Sequence, residues 1–159
     1  MLFHYTHPTN KETILEEGLH AGRKAGAGDG IDWVRAFYDE DPVFLTTEGS
    51  AFIAAYLDQE WSDYVCFEVE ERGLPLAADL ASLVDMGARY REGMLCVARR
   101  EALEPLLEFA DENGWIEIEH LVDPETDAAR AAIRVTGTAA CLGPIHPHRI
   151  ALRESAPAP

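Results

Sequence analysis

Two carboxylates two residues apart, Glu117 and Glu119, have the clearest potential for catalysis in this sequence. Residues 116–122 alternate between apolar and polar side chains, a pattern that predicts a β-strand. Since residues i and i+2 of a strand project from the same face, both carboxylates would share one face. Two like charges so close raise the pKa of one of them unless a cation or a hydroxyl lies between them. The same pattern is also typical of a solvated sheet face, so the pair alone does not define a site.

Histidine pairs are the next candidates for chemistry. His146 and His148 have the H-x-H spacing that can place two metal-binding imidazoles on one side of a strand. Pro147 between them indicates a turn instead. His4 and His7 are three residues apart and would not share a face of a strand. Because no third ligand accompanies either pair, the sequence predicts no metal site and favours solvated or packing histidines.

Cysteine and glycine patterns exclude several common sites. The three cysteines, Cys66, Cys96 and Cys141, are an odd number without C-x-x-C spacing. Each stands in an apolar, strand-like segment, which predicts buried free thiols in a reducing compartment rather than disulfides or a zinc site. Glycine-dense residues 26–30 do not connect a strand to a helix and are interpreted as a flexible loop. The P-loop, dinucleotide-binding and nucleophile-elbow motifs are absent from the sequence.

The charge balance restricts the partners. The chain carries 29 Asp and Glu residues against 13 Lys and Arg residues, a formal net charge of −16. Such a surface repels phosphate backbones, so nonspecific binding to nucleic acids is disfavoured. A local basic pocket is compatible with this balance. The sequence has one cluster of basic residues, which comprises Arg89, Arg91, Arg99 and Arg100.

The length of 159 residues suits one domain, and 47% hydrophobic residues suit a folded one. No apolar run approaches the roughly 18 residues that a membrane-spanning helix needs. The N-terminus carries no long apolar segment, which argues against a secretory signal. We therefore expect a cytoplasmic protein without membrane contact, with a single domain over residues 1–154 and a frayed tail over residues 155–159.

Short strands outnumber helices among the predicted elements. Alternating or β-branched runs predict strands at residues 2–5, 43–46, 64–70, 94–98, 116–122 and 150–152, and a hairpin of residues 132–135 with 139–142. Start and stop signals predict helices from the capping box of Thr9 and Glu12 to Gly18, over residues 50–57, and over residues 101–113 before Gly114. Such an order favours an α+β fold over a parallel βαβ sheet.

Four short segments, spread over most of the chain, are similar to motifs of one family. They are residues 2–6 (LFHYT), residues 42–47 (PVFLTT) with the following helix, residues 117–122 (EIEHLV) and residues 143–150 (GPIHPHRI). They resemble the opening strand, the second core strand, the glutamate strand and the closing turn of ADP-ribosyltransferases with a His-Tyr-Glu catalytic set. The resemblance implies a split β-sheet core with a few flanking helices.

The resemblance also implies NAD as the substrate, without a metal, and it implies residues that bind it. His4 would bind the adenosine ribose, in the same segment as Tyr5 and with Thr6 helping to fix that position. Phe44 and Tyr56 would hold the nicotinamide between aromatic faces. The family commonly has a tyrosine where this chain has Phe44, which keeps the stacking surface and loses a hydroxyl.

The glutamate motif implies the catalytic roles. Glu119 would stabilise the oxocarbenium-like transition state of glycosidic cleavage, and Glu117 would assist the acceptor. A competing alignment places the glutamate position at Ala132, in which case the acid is missing.

Three functions follow as expectations. The first is ADP-ribosyl transfer from NAD to a macromolecular acceptor, or slow hydrolysis of NAD. The second is a nucleotide-binding or interaction module of the same fold that lost catalysis. The third is an RNA 2′-phosphotransferase-like activity, for which the cluster of four arginines would have to bind phosphates.

Overall fold

The computed structural model describes residues 1–21, 32–47 and 64–153 of the chain. Its strands are β1 (Leu2–Thr6), β2 (Pro42–Thr46), β3 (Val65–Val69), β4 (Leu76–Ala78), β5 (Arg89–Arg91), β6 (Met94–Cys96), β7 (Trp115–Glu117), β8 (Thr138–Leu142) and β9 (Ile150–Arg153). Its α-helices are α1 (Lys11–Glu17), α2 (Asp32–Arg35), α3 (Leu80–Asp85), α4 (Ile118–Val122) and α5 (Asp127–Thr136). Short 3-10 segments cover Pro8–Asn10, Glu101–Phe109 and Pro147–Arg149.

The strands form two antiparallel sheets. The large sheet has the strand order β4-β8-β2-β1-β3-β9, and the small sheet has the order β5-β6-β7. This mixed α+β fold in one small domain confirms the predicted fold class. The finer expectation, an ADP-ribosyltransferase-like core, stays a prediction. None of the helices in the described ranges is long and apolar enough to cross a bilayer.

Two hydrophobic cores lie against the large sheet. The first core contains buried residues of β1, β2 and β3, among them Leu2, Leu45 and Phe67, together with Ile14 of α1. The second core lies between the β4–β8 end of the large sheet, the helices α3 to α5 and the inner face of the small sheet. The small sheet supplies Leu95 and Ile116 to this second core, so only its other face is turned away from the packed interior.

Several local predictions are confirmed. The strands predicted around residues 2–5, 43–46, 64–70 and 150–152 are present. α1 ends at Gly18, whose φ of +85° favours glycine. An added Cβ there would lie 2.1 Å from the Ile145 oxygen, which accepts from Leu19 N–H. The three cysteines are buried free thiols.

The predicted capping box before α1 is wrong. The helix begins at Lys11 after Asn10, because Thr9 belongs to the preceding 3-10 turn. Pro8 starts that turn with its fixed φ, and the His7 Nδ1 atom accepts from the Thr9 N–H at 3.3 Å.

The segment predicted as a helix over residues 101–113 is a shorter 3-10 segment that ends at Phe109. Pro105 inside it has no N–H to donate to the carbonyl four residues earlier, which disfavours an α-helix there. Asp111 then accepts from the N–H groups of Asn113 and Trp115 and turns the chain into β7.

The strand predicted over residues 116–122 is also wrong beyond Glu117. β7 ends there and α4 begins at Ile118, which lies with Leu121 in the second core. A spacing of three residues between buried side chains suits a helical turn, and the alternation in sequence hid it.

The predicted hairpin strand at residues 132–135 is part of α5. Thr126 caps this helix by accepting from the Ala129 N–H at 3.1 Å, and Gly137 ends it with a φ of +71°. Only the second predicted strand of that hairpin, residues 139–142, exists, as β8. The predictions for residues 26–30, 50–57 and 155–159 lie outside the described residues.

Candidate functional site

The adjacent strands β1 and β2 place His4 next to the backbone of Phe44. The His4 Nδ1 atom lies 3.3 Å from the Phe44 carbonyl oxygen, and the ring is half-buried. A carbonyl only accepts hydrogen bonds, so we assign the proton to Nδ1. The Nε2 atom of the neutral ring is then an acceptor, which suits a hydroxyl group of a ligand.

Burial keeps His4 neutral. Desolvation lowers the pKa of His4 below its ordinary value, and the hydrogen bond to the Phe44 carbonyl opposes that shift only in part. A neutral imidazole with a fixed tautomer is a positioned acceptor rather than a charge.

Thr6 lies two residues further along β1 and therefore on the same face of the sheet as His4. Its Oγ1 atom accepts from the Asn10 Nδ2 atom at 2.9 Å. This bond ties the end of β1 to the start of α1. Thr6 thus holds the strand end in place through Asn10.

Tyr5 points to the opposite face of the sheet. Its ring packs edge-on against Tyr64, with 5.4 Å between the ring centroids, and β1 pairs it directly with Cys66 of β3. Burial raises the pKa of Tyr5, and the neighbouring Cys66 raises it further. The structure therefore separates Tyr5 from His4 and Thr6, although all three come from one predicted segment.

The Phe44 ring also lies on the face opposite to His4. The register pairs Phe3 with Thr46, which places Phe44 on the face of Phe3. The Phe44 ring packs in the second core, edge-to-face with Tyr38 at a centroid distance of 6.4 Å. Only the backbone of Phe44 therefore meets His4. Tyr56, the other predicted nicotinamide contact, lies outside the described residues.

The two predicted catalytic glutamates lie at the end of the small sheet and in the helix that follows it. Glu117 is the last residue of β7, and Glu119 lies in the first turn of α4. Both side chains are exposed, and a Glu117 oxygen lies 3.6 Å from the His120 Nε2 atom. The expectation that one strand face presents both carboxylates is therefore wrong, because the chain changes from strand to helix between them.

Ala132, the alternative position for the catalytic glutamate, does not lie on the expected strand. Ala132 is fully buried within α5 rather than on a strand. The strand that the competing alignment assumes at Ala132 is therefore not formed.

Two buried polar residues near the second core have no counterpart among the predicted site residues. The Tyr38 hydroxyl donates to the Ala78 carbonyl at 2.7 Å and accepts from the Leu80 N–H at 3.0 Å. Asp79, between these two residues, caps α3 by accepting from Ser82. Burial raises the pKa of Asp79, while these hydrogen bonds lower it. The D-x-x-S spacing could have indicated this cap, whereas the bond of Tyr38 depends on tertiary contact.

The H-x-H pair lies on a turn, as Pro147 indicated. His146 and His148 are exposed, and their Nδ1 atoms approach to 2.5 Å in the 3-10 turn Pro147–Arg149. Within the described ranges, no three His, Cys, Asp or Glu side chains are grouped as they would be around a metal ion.

Comparison of the chain with models of protein families, with curated proteins and with solved structures finds no match.

Proposed function

We propose that the protein binds NAD beside His4 and transfers its ADP-ribosyl group to a macromolecular acceptor. The observation that carries the proposal is the contact of His4 Nδ1 with the Phe44 carbonyl, joined to the resemblance of the LFHYT segment. It leaves Nε2 as a neutral acceptor on a strand whose end is fixed by Thr6 and Asn10. Such an acceptor suits a ribose hydroxyl, as the resemblance implies for this histidine.

The reaction places separate demands on the glutamates. The bond between nicotinamide and ribose breaks with its electron pair leaving on nicotinamide, and the ribose becomes oxocarbenium-like. In the proposal, the Glu119 carboxylate stabilises that positive charge. The acceptor then attacks the same carbon, and its proton passes to the Glu117 carboxylate. Because both glutamates lie at the small sheet, the proposal requires NAD to reach from the large sheet to α4.

A second candidate is a binding module that holds a nucleotide and does not cleave it. It is favoured by the exposed positions of Glu117 at the end of β7 and of Glu119 in α4, neither of which belongs to the sheet that contains His4. This candidate keeps the role of His4 and drops the roles of both glutamates.

Release of nicotinamide separates the two candidates. NAD turnover would be followed by proton NMR for the wild type, Glu119→Gln and, as a matched exposed control, Glu108→Gln. For the transferase, we expect the wild type and Glu108→Gln to release nicotinamide, and Glu119→Gln to bind NAD without releasing it. Binding without release by the wild type would support the module.

A measurement of NAD binding tests the role of His4, which the two candidate functions share. His4→Ala should weaken NAD binding roughly 2- to 13-fold, the equivalent of one neutral hydrogen bond of about 0.5–1.5 kcal/mol. The matched control is His7→Ala, at an exposed position just after β1. If the wild type neither binds nor cleaves NAD, or if both histidine variants bind equally well, the proposed site is wrong.

A further inference from the structure

We infer that His146 and His148 form a binding site for a divalent transition-metal ion, which is held by the two imidazole Nδ1 atoms. The site is called the 146–148 turn below and comprises His146, Pro147 and His148. The inference does not depend on NAD binding, because it uses none of the residues proposed to act on NAD. Sequence spacing predicted no metal site here, since Pro147 indicated a turn, and the structure shows that this turn brings the two rings together.

The two imidazole rings of the 146–148 turn converge on one point. Their Nδ1 atoms lie 2.5 Å apart, and their ring centroids lie 4.4 Å apart. Both side chains are exposed, so an ion from solution can reach the nitrogens. Imidazole nitrogen is a common ligand of zinc, copper and nickel ions. Two such nitrogens on one turn form a chelate, which binds an ion more tightly than one imidazole does.

The proton between the two nitrogens marks the place of the cation. The His146 Nδ1 atom accepts from the His148 backbone N–H at 3.2 Å, so its lone pair points into the turn. The His148 Nδ1 atom therefore carries a proton and donates it to the His146 Nδ1 atom. When an ion binds, this proton passes to water and the His148 Nε2 atom takes one up. Both rings then stay neutral, and both Nδ1 lone pairs face the ion.

A small movement of the rings admits the ion. Two nitrogens at about 2.0–2.1 Å from one ion stand about 2.9–3.4 Å from each other at the angles of square-planar or tetrahedral coordination. The two Nδ1 atoms, now 2.5 Å apart, therefore have to separate by less than about 1 Å. Exposed rings make such a movement by rotation about their side-chain bonds.

The backbone holds the turn in shape on both sides. Pro147 has a fixed φ, and His146 before it is extended, with a φ of −64° and a ψ of 144°. Before the turn, Ile145 exchanges two backbone hydrogen bonds with Leu19, at 2.8 and 2.9 Å. After the turn, the Arg149 carbonyl accepts at 2.9 Å from a backbone N–H just beyond β3. A ligand pair that is positioned in advance loses less conformational entropy when the ion binds.

A second turn of the same shape lacks the second imidazole. His7 precedes the 3-10 turn Pro8–Asn10 with a φ of −67° and a ψ of 142°, and its Nδ1 atom accepts from the Thr9 N–H at 3.3 Å. The Thr9 hydroxyl lies 3.0 Å from that Nδ1 atom, in the place where the 146–148 turn has the His148 ring. This 7–9 turn therefore offers one imidazole in the same backbone setting and serves as an internal control.

The surroundings of the 146–148 turn are compatible with a bound cation. Among the described residues no third His, Cys, Asp or Glu side chain joins the pair, so water fills the remaining positions around the ion. The net charge of −16 attracts cations to the surface. Arg149, the next residue along the chain, directs its guanidinium to the Arg72 carbonyl at 2.6 Å. The three cysteine thiols, which would compete for the ion, are buried.

The experiment titrates the full chain with Zn²⁺ and follows binding by calorimetry and by NMR of the imidazole nitrogens. We expect saturation with the largest shifts at His146 and His148. His148→Thr, which copies the 7–9 turn, should weaken binding roughly 100-fold, the lower end of the gain from linking two weak contacts. The matched control, His7→Ala, should bind like the wild type. Zn²⁺ binding that His148→Thr leaves unchanged would overturn the inference.

The converse substitution builds a second site. Thr9→His turns the 7–9 turn into a copy of the 146–148 turn, so this variant should bind one Zn²⁺ ion more than the wild type does. Thr9→Ala is its control and should bind as many ions as the wild type. A Thr9→His variant without the additional ion would show that the shape of the turn does not create a chelate, and the inference would then be wrong.

A comparison of metal ions tests the ligand chemistry. Cu²⁺ should bind more tightly than Zn²⁺, as the order of affinities for nitrogen ligands requires, and Mg²⁺ should not compete because it prefers oxygen ligands. Competition by equal concentrations of Mg²⁺ would assign the binding to the acidic surface and refute the imidazole site. The absence of Zn²⁺ binding at roughly millimolar concentration would refute it as well.

Discussion

The large and small sheets differ in how far their polar side chains are exposed to solvent. In the large sheet, His4 is half-buried, is held neutral by desolvation and bonds to the Phe44 carbonyl. In the small sheet, β5 is exposed along its whole length, and Glu117 at the opposite edge stays exposed. The large sheet therefore holds His4 in uncharged, fixed hydrogen bonding, and the small sheet carries charged side chains that are exposed to solvent.

This difference changes how the predicted catalytic set is understood. The resemblance assigns His4 and Glu119 to one reaction, yet His4 lies half-buried in the large sheet and Glu119 lies exposed in α4. Two residues in such separate parts of the fold can serve one reaction only if the substrate reaches from one to the other.

The largest expected effect is on stability. Phe67→Ala in β3 should lower the free energy of unfolding by about 3–5 kcal/mol, because Phe67 is fully buried in the first core and leaves a cavity. Tyr90→Ala on β5 should cost clearly less, since Tyr90 is partly exposed. Urea unfolding of both variants measures this. Equal losses would contradict the contrast between a packed sheet and an exposed edge.

A smaller effect is expected at the cap of α3. Asp79→Ala should cost about 0.5–2 kcal/mol, because the side chain accepts from Ser82 N–H at the helix start. Burial raises the pKa of Asp79 in the folded state, so the folded protein binds this proton more tightly than the unfolded chain does. The stability that Asp79 contributes at low pH is therefore lost as the pH rises through its raised pKa.

Asp79→Asn tests that sign, since Asn can still accept at the cap and does not ionise. The free energy of unfolding of Asp79→Asn, relative to the wild type, should increase as the pH rises from about 4 towards neutrality. Asp85→Asn, at the exposed end of the same helix, is the control. A pH profile that Asp79→Asn leaves unchanged would contradict the prediction.

The smallest effect, with the opposite sign, is expected at His4. Its pKa is lowered in the folded state, so the unfolded chain binds the proton more tightly. The stability that His4 contributes is present above its ordinary pKa of about 6.5 and is lost as the pH falls through the lowered value. His4→Gln, which can donate to the Phe44 carbonyl and does not ionise, should flatten that loss.

The measurement is urea unfolding between about pH 4 and pH 8, with the exposed His7→Gln as the control. Loss of the hydrogen bond in His4→Ala should cost about 1 kcal/mol at neutral pH. If His4→Gln becomes less stable relative to the wild type as the pH falls, the environment assigned to His4 is wrong.

Local sequence signals predicted a strand or a helix end correctly where one feature, such as alternation or a glycine stop, dominated the segment. The alternation of residues 64–70 predicted β3, and Gly18 predicted the end of α1. The same rules failed at residues 116–122, where the buried positions 116 and 118 suit a strand while the buried positions 118 and 121 suit a helical turn. They failed again at residues 132–135, where the N-cap Thr126 starts a helix six residues earlier.

For the candidate site, too, the sequence indicated residues but not all of their contacts and faces. Segment similarity indicated His4, Thr6 and Phe44, and the structure brings His4 to the Phe44 backbone and Thr6 to Asn10. Strand alternation alone places Tyr5 on the face opposite to His4, whereas the face of the Phe44 ring depends on the register between β1 and β2, which sequence spacing could not reveal. The arginine cluster was visible in sequence, while the place of Arg89 and Arg91 on one face of the small sheet was not.

The sequence by itself determined the α+β class, the excess of negative charge and the burial of three free thiols, because each depends on composition or on local periodicity. Only the tertiary structure decided which sheet each polar residue belongs to and which face it occupies. The physical reason is that strand order and register are fixed by packing between distant segments. The fold of this protein therefore places neighbours such as His4 and Tyr5 on opposite faces of one sheet and joins residues that stand far apart in the chain.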